Sequence, residues 1–174
     1  MVDTGSRETA AETLAAIRRW DDGPIHTITH SHGHIDHTWG GRLLDQEADA
    51  RGLPRARIIA HRNVLGRLAR YGETHGLNSI VMGRQFNTPG YAFPSDHPRP
   101  DQVHDEGLDL TVGGVELVLV HGRGDTDAAA FVWLPQKRIP AGGDFVIGVF
   151  PNAGNPRNVQ RFAPDWAIAL RRMR

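Results

Sequence analysis

The segment Ser31–His37 concentrates residues that could do metal chemistry. It reads H-x-H-x-D-H, formed by His32, His34, Asp36 and His37. Neutral imidazole nitrogens and carboxylate oxygens are donors that Zn²⁺ accepts, and histidine is the commonest protein ligand of transition metals. The segment therefore predicts a site for one or two Zn²⁺ ions, or for another divalent metal.

A surface cluster arising from a histidine-rich composition is the alternative interpretation. The chain has 10 histidines, and five of them fall between His26 and His37. The motif, however, directly follows a predicted strand, and side chains in a loop leaving a strand can converge in the groove beyond the sheet. This context favours a metal site.

Composition restricts the other functions. The chain lacks cysteine, so any metal must be held by histidine and carboxylate. A net charge of zero and the absence of a basic stripe argue against nucleic acid as a partner. No apolar run could cross a bilayer and no signal peptide is recognised, so we expect a cytoplasmic protein that acts on a small molecule, without a membrane partner.

The elements that must position the motif read as layered α/β architecture in one domain, residues 1–174. The first part alternates helices and strands, and the second part is mainly sheet with a last helix. The predicted helices are 6–20, 41–52, 63–71 and 164–173, with Ser6 as a cap. The predicted strands are 25–30, 57–60, 108–112, 115–120, 129–134 and 139–146, with a hairpin at Gly113-Gly114.

Residues 76–100 are rich in Gly, Pro, Asn and Ser and are predicted to form a loop. Loops of this length in a compact domain are usually functional or mobile, so we expect substrate-facing residues here. Phe86, Tyr91 and Phe93 could line an apolar substrate entry, although simple anchoring of the loop is the more ordinary interpretation.

The motif and its surroundings resemble a known family signature. H-x-H-x-D-H, preceded by Asp3-Thr4-Gly5 and followed by Gly40-Gly41, is similar to the metallo-β-lactamase superfamily. The resemblance extends over nearly the whole chain, because Gly124-Asp125 and Gly143-Asp144 match two later motif positions. It implies a partial αβ/βα sandwich and a metal-dependent hydrolase acting on a sulfate ester, carboxylic ester, thioester or lactam.

The resemblance also implies a ligand set. His32, His34 and Asp125 correspond to ligands of a first metal, Asp36 and His37 to ligands of a second, and Asp144 to the bridging carboxylate. Asp36 is in addition the candidate catalytic residue. Asp3 is expected to support the histidine loop without binding metal itself.

Asp125 stands where most family members have histidine. A carboxylate there is similar to the alkyl-sulfatase-like branch, which favours ester or sulfate-ester hydrolysis over lactamase activity. His121, four residues earlier, is a rival ligand that falls outside the expected register.

Two departures put full activity in doubt. No histidine follows His121, although the family completes its second metal site with one. The strands that the family places before Asp3 have no counterpart, so we expect a fragment, with a naturally minimal form as the alternative. The resulting predictions are a weak second metal site and exposed sheet edges that permit a homo-oligomer, and a non-catalytic metal-binding protein remains the rival function.

The remaining candidates have ordinary interpretations. His61 is expected to be a satisfied residue at a strand edge, and His26 and His30 either support a ligand or pack. We expect solvent exposure for His75, His97 and His104. Arg157 and Arg161, beside several asparagines, could bind an anionic group such as sulfate. The equally favoured alternative is that they are solvent-exposed residues leading into the last helix.

Overall fold

The computed structural model describes residues 1–151 and 161–173. The helices are α1 (Ala10–Arg18), α2 (Ile35–Thr38), α3 (Gly41–Ala50), α4 (Asn63–Gln85) and α5 (Ala163–Arg172). The strands are β1 (Thr27–Thr29), β2 (Arg57–His61), β3 (Gln102–His104), β4 (Gly107–Val112), β5 (Val115–His121), β6 (Ala130–Leu134) and β7 (Ile139–Ala141). A 3₁₀ turn occupies Gly143–Phe145.

The strands form two sheets of different type. A three-stranded parallel sheet has the order β1-β2-β3, and a four-stranded antiparallel sheet has the order β4-β5-β6-β7. Parallel neighbours require crossover connections, which α2–α3 and α4 provide here. The predicted α/β class is confirmed.

Side chains that alternate between the two faces of each strand show that the sheets pack face to face. Ile59 of β2 packs with Leu119 and Val132 of the second sheet, whereas the preceding Ile58 packs with Leu44 of α3. Successive side chains of a strand point to opposite faces, so one face of β2 meets a sheet and the other meets a helix. The order of layers is therefore helix, sheet, sheet, helix.

The second sheet follows the same rule. Phe131 of β6 points away from the first sheet and packs with Trp166 and Ala169 of α5. The β4–β5 hairpin turns at Gly113-Gly114, both with positive φ (57° and 78°), as the sequence predicts for a two-residue loop.

The predicted loop 76–100 is wrong in its first part, because α4 continues to Gln85. Its stripe of Val64, Leu68 and Tyr71 in the core is continued by the partly buried Met82. Gly76 interrupts the pattern in the sequence but not the helix, since tertiary packing on this stripe compensates for the low helix propensity of one glycine.

One strand boundary and one whole strand also differ from the prediction. The strand expected over 139–146 ends at Ala141, and Gly143, with φ of 50°, turns the chain into the 3₁₀ segment. Strand β3 was not predicted at all, because three residues are too few to show a period. It is nevertheless paired in parallel with β2.

Within the described ranges, none of the helices combines the length and the apolar character that crossing a bilayer requires.

Candidate metal centre

The histidine motif lies in the connection between β1 and α2. Asp3 braces this connection: its Oδ1 accepts a hydrogen bond from the Ser31 backbone N–H (2.7 Å), and its Oδ2 accepts one from Ser31 Oγ (2.7 Å). Asp3 Oδ2 also lies 2.9 Å from His37 Nδ1. These bonds fix the ring of His37 so that Nε2 faces the site, which is the supporting position expected for Asp3.

Four of the predicted ligands converge on one point. Single donor atoms of His32, His34, Asp125 and Asp144 all lie within 4.8 Å of one another. His32 Nε2 is 2.9 Å from His34 Nδ1 and 3.8 Å from both Asp125 Oδ2 and Asp144 Oδ2. His34 Nδ1 is 3.0 Å from Asp125 Oδ2.

This group fits a divalent cation. Tetrahedral bonds of about 2.0–2.1 Å place donor atoms roughly 3.4 Å apart, which is the middle of the observed distances. Asp125 Oδ2 is buried, and among the described residues its close contact is His34 Nδ1 at 3.0 Å, without a well-aligned hydrogen bond. Such an atom is costly unless a positive group meets it. Burial, and then the neighbouring His34 and His37, lower the pKa of His32 well below 6.5, so its imidazole is neutral and can offer a lone pair.

A second group of donors adjoins the first. His37 Nε2 lies 3.3 Å from Asp36 Oδ2 and 3.4 Å from Asp144 Oδ1. The two oxygens of Asp144 therefore face different groups, Oδ2 toward His32 and Oδ1 toward His37. Asp36 is the most exposed of these donors, with 62% of its side chain accessible.

In the second donor group, His37, Asp36 and Asp144 shift one another's pKa values through their charges. Burial lowers the pKa of His37, but hydrogen bonds to Asp3 and Asp36 outweigh it and raise the value to about 10. Burial raises the pKa of Asp36, but the hydrogen bond and the charge of His37 lower it by more, so the net pKa is lowered. Burial raises the pKa of Asp144, opposed by His37 and reinforced by Asp125 and Asp36. A carboxylate whose ionised form is disfavoured in this way gains when a cation approaches.

Asp125 is held by its own loop and by an arginine. Gly124 N–H donates to Thr126 O (3.0 Å), which closes a tight turn around Asp125. Arg161 Nε donates to Asp125 Oδ1, leaving Oδ2 for the site. Burial tends to raise the pKa of Asp125, but His34 and Arg161 lower it far below its usual range.

The arrangement of histidines and aspartates at the ends of strands matches a known family. The family model described as the metallo-beta-lactamase superfamily matches residues 1–171. The chain belongs to this superfamily.

Its relatives include alkylsulfatases. The linear primary-alkylsulfatase of Pseudomonas sp. (strain ATCC 19151) is 24% identical over 196 residues, which cover all of this chain and 37% of the relative. The stereoselective inverting sec-alkylsulfatase Pisa1 from Pseudomonas sp. has a similar fold, with a TM-score of 0.66 and 23% identity, covering 98% of this chain and 30% of Pisa1. The chain thus spans about a third of the length of these two relatives.

A third relative bears on the metal. The structure described as TTHA1623 in a di-iron-bound form has a TM-score of 0.63 and 21% identity, and the match covers 99% of this chain and 73% of that one. This superfamily fold is therefore described with iron, and the fold by itself does not select zinc.

The rival ligand His121 lies outside the metal group of this chain, defined here as the converging donors His32, His34, Asp125 and Asp144. Its Nε2 contacts Asp127 O (3.0 Å), and its ring stacks on His61 with centroids 4.0 Å apart. His61 Nδ1 accepts a hydrogen bond from Asn63 N–H (3.2 Å) at the start of α4, as expected of a satisfied edge histidine. The structure thus brings Asp125, and not His121, to the other donors.

His104 corrects a prediction. It was expected to be solvated, but it is only 5% exposed, and neither of its ring nitrogens has a hydrogen-bond partner among the described residues. It lies directly opposite His61 in the β2–β3 pairing. No sequence pattern indicates this burial, because the three residues of β3 are too few to be recognised as a strand.

The other histidines near the motif do not join the metal group. His30 is buried, and burial lowers its pKa to about 4, so it packs as a neutral ring. His26 is exposed, with Nδ1 2.7 Å from Thr27 Oγ1. His75 is exposed as expected, but it lies on α4 and not in a loop, and His97 is half-buried.

A cavity of about 410 Å³ opens beside the metal group. His34, Asp36, Asp125 and Arg161 line one end of it. The rest is lined largely by α4 and by Phe93, so most of the wall comes from a helix that the sequence only partly predicted. Phe86 is exposed and not part of this wall, and Arg157 lies outside the described residues.

Proposed function

We propose that this protein is a metal-dependent hydrolase that cleaves an ester, with sulfate esters and carboxylic esters as the preferred classes. The observation that carries the proposal is the convergence of His32, His34, Asp125 and Asp144 beside an open cavity. Thioesters and lactams are the less favoured substrates, because Asp125 replaces the histidine that is usual at its position.

We propose Zn²⁺ as the metal, with iron as the alternative. A divalent cation held by these donors lowers the pKa of water from about 16 to about 7 and so supplies hydroxide at neutral pH. The residues of the chain prepare for this chemistry. Burial keeps His32 neutral, Asp3 holds His37 with Nε2 facing inward, and Arg161 holds one oxygen of Asp125 away from the site.

Asp36 is the proposed proton acceptor. Its lowered pKa keeps the carboxylate ionised at neutral pH, and it lines the cavity beside the donor group. The ionised Oδ2 can take the proton that the attacking water gives up, which is the role of a general base, and its lowered pKa makes it a weaker base than an ordinary aspartate.

The cavity favours a substrate with both a charged and an apolar part. Arg161, which also bonds Asp125, places a guanidinium at the metal end that suits an anionic ester group, while Tyr71 and Met82 of α4 and the following Phe93 offer apolar surface. The alkylsulfatases among the relatives agree with such a substrate, a sulfate ester of an apolar alcohol.

Hydrolysis assays test the proposal. Purified protein loaded with Zn²⁺ is expected to cleave chromogenic aryl sulfates or aryl carboxylic esters faster than thioesters or a chromogenic β-lactam. His34→Ala should lower the rate at least about 100-fold, since it removes a donor of the metal group. Loss of activity on stripping the metal and recovery on adding Zn²⁺ complete the expected pattern.

His75→Ala is the matched control, because His75 is an exposed histidine remote in sequence from the motif, and its rate should equal that of the unaltered protein. Equal rates in the unaltered protein, His34→Ala and the stripped protein would contradict the hydrolase and favour a non-catalytic metal-binding protein.

A further inference from the structure

Arg67 on α4 is a buried arginine that the proposed chemistry does not use. Only 8% of its side chain is accessible, and its Nε is buried without a hydrogen-bond partner among the described residues. Its one ion pair within residues 1–151 and 161–173 is long, with Nη2 3.5 Å from Asp127 Oδ1. Burying a guanidinium with so few polar partners lowers the stability of the fold. The presence of Arg67 at this position is therefore better explained by a role other than stability.

The stem of Arg67 lies against the histidine loop. A Cβ placed on Gly33 would be 2.8 Å from Arg67 Cδ and 3.5 Å from Arg67 Cβ and Cγ. Gly33 does not have a positive φ, so its backbone conformation does not by itself require glycine. The reason is the close approach of Arg67 between His32 and His34.

The charged end of Arg67 reaches the other ligand loop. Asp127 follows Asp125 by two residues, and its carboxylate also accepts a hydrogen bond from Asn63 Nδ2 (3.0 Å) at the start of α4. One side chain therefore touches two of the three segments that supply the converging donors, the His32–His34 segment through its stem and the Asp125 loop through its guanidinium.

We propose that Arg67 is a positioning residue, which holds the His32–His34 segment and the Asp125 loop at the separation that binds metal. The inference rests on the proposed metal site. Contacts behind metal ligands commonly change metal affinity by about 10- to 100-fold when they are removed.

The positive charge of Arg67 allows its electrostatic effect on metal affinity to be distinguished from a positioning effect. A guanidinium near the site repels a cation, and Asp127 offsets this only in part at 3.5 Å. If charge were its main effect, removing it would tighten metal binding. If positioning is its main effect, removing it weakens metal binding although a repulsive charge has gone.

The experiment measures the Zn²⁺ dissociation constant by competition with a chromophoric chelator. Arg67→Met keeps the stem against Gly33 and removes the ion pair, and we expect about 10-fold weaker binding. Asp127→Asn should weaken binding to a similar extent. The double variant should lose little more than either single variant, because both remove the same interaction. Arg84→Met is the matched control, an exposed arginine on the last turn of α4, and should bind as the unaltered protein does.

The melting temperature of each metal-free variant separates positioning from general stability. A merely structural role would lower that temperature and leave the affinity of the folded protein unchanged, and this result overturns the inference. Equal or tighter Zn²⁺ binding by folded Arg67→Met also overturns it, while the proposed function stands. Failure of the unaltered protein to bind Zn²⁺ overturns both.

Discussion

Single residues at the metal group are constrained by their contacts as well as by their chemistry. Asp144 can offer one oxygen to each donor group only because Gly143 lets the chain pass close to the histidine loop. A Cβ on Gly143 would lie 2.3 Å from Ser31 Oγ, and its φ of 50° disfavours other residues. Ser31 cannot move away easily because both its N–H and its hydroxyl bond to Asp3.

Gly143→Ala is therefore expected to be strongly destabilising. Overpacking and the left-handed backbone together should lower the free energy of unfolding by roughly 2–4 kcal/mol, measured by urea denaturation. Gly52→Ala is the matched control, since Gly52 has φ of 63° but nothing within 4 Å of its Cβ, and it should lose only about 1 kcal/mol. Equal losses in the two variants would contradict the close contact with Ser31.

At the scale of elements, the ends of β2, β3 and β5 meet in a cluster of three histidines, His61, His104 and His121. His61 is packed against the other two, with ring centroids 5.6 Å from His104 and 4.0 Å from His121. Burial, and then repulsion from the two neighbouring rings, lower the pKa of His61 from 6.5 to about 4. The cluster joins the two sheets, and His61 at its centre is a neutral ring.

The cluster predicts a loss of stability in mild acid. The folded protein binds a proton at His61 only near pH 4, while the unfolded chain binds one near pH 6.5. The stabilising contribution is therefore complete above pH 6.5 and is lost as the pH falls toward 4, by about 3 kcal/mol for His61 alone. Free energies of unfolding measured across this window should decrease with acidification.

The variant His61→Gln tests whether His61 causes the decrease in the free energy of unfolding between pH 6.5 and 4. The variant should start from a lower stability but lose less of it between pH 6.5 and 4, because the protonating group is gone. His75→Gln, an exposed control on α4, should keep the slope of the unaltered protein. Parallel curves for His61→Gln and the unaltered protein would exclude His61 as a source of the pH dependence.

The metal centre is a property of the whole molecule. Its donors come from three places far apart in the chain: the connection after β1, the loop between β5 and β6, and the 3₁₀ turn after β7. The two sheets must pack on each other before these segments meet. The resulting groups are unequal, because the first has four converging donors, while the second relies on His37, the exposed Asp36 and a shared Asp144.

This inequality predicts one tight and one weak metal. Zn²⁺ added to the stripped protein should fill one equivalent first, and a second equivalent should bind at least about 10-fold more weakly, since fewer and less rigid donors hold it. Native mass spectrometry of the titration counts the bound ions. Two equivalents of equal affinity would contradict the difference between the groups.

The sequence by itself was enough for the local features of this protein. The spacing of His32, His34, Asp36 and His37 predicts a metal motif, because ligands close in sequence can converge whatever the rest of the fold does. Helix α3, strands β2, β4, β5 and β6 and the glycine hairpin were predictable for the same reason, since periodicity and turn chemistry act over a few residues. The positions of Asp125 and Asp144 followed only from resemblance to the superfamily.

Tertiary structure decided what depends on contacts between distant segments. The continuation of α4 through Gly76 depends on packing that no local pattern shows. Burial of His104 depends on pairing of a three-residue strand with β2, and the need for glycine at 33 depends on the stem of Arg67. In each case the controlling neighbour lies more than 30 residues away or on another element, and the free energy of that contact outweighs the preference of the local sequence.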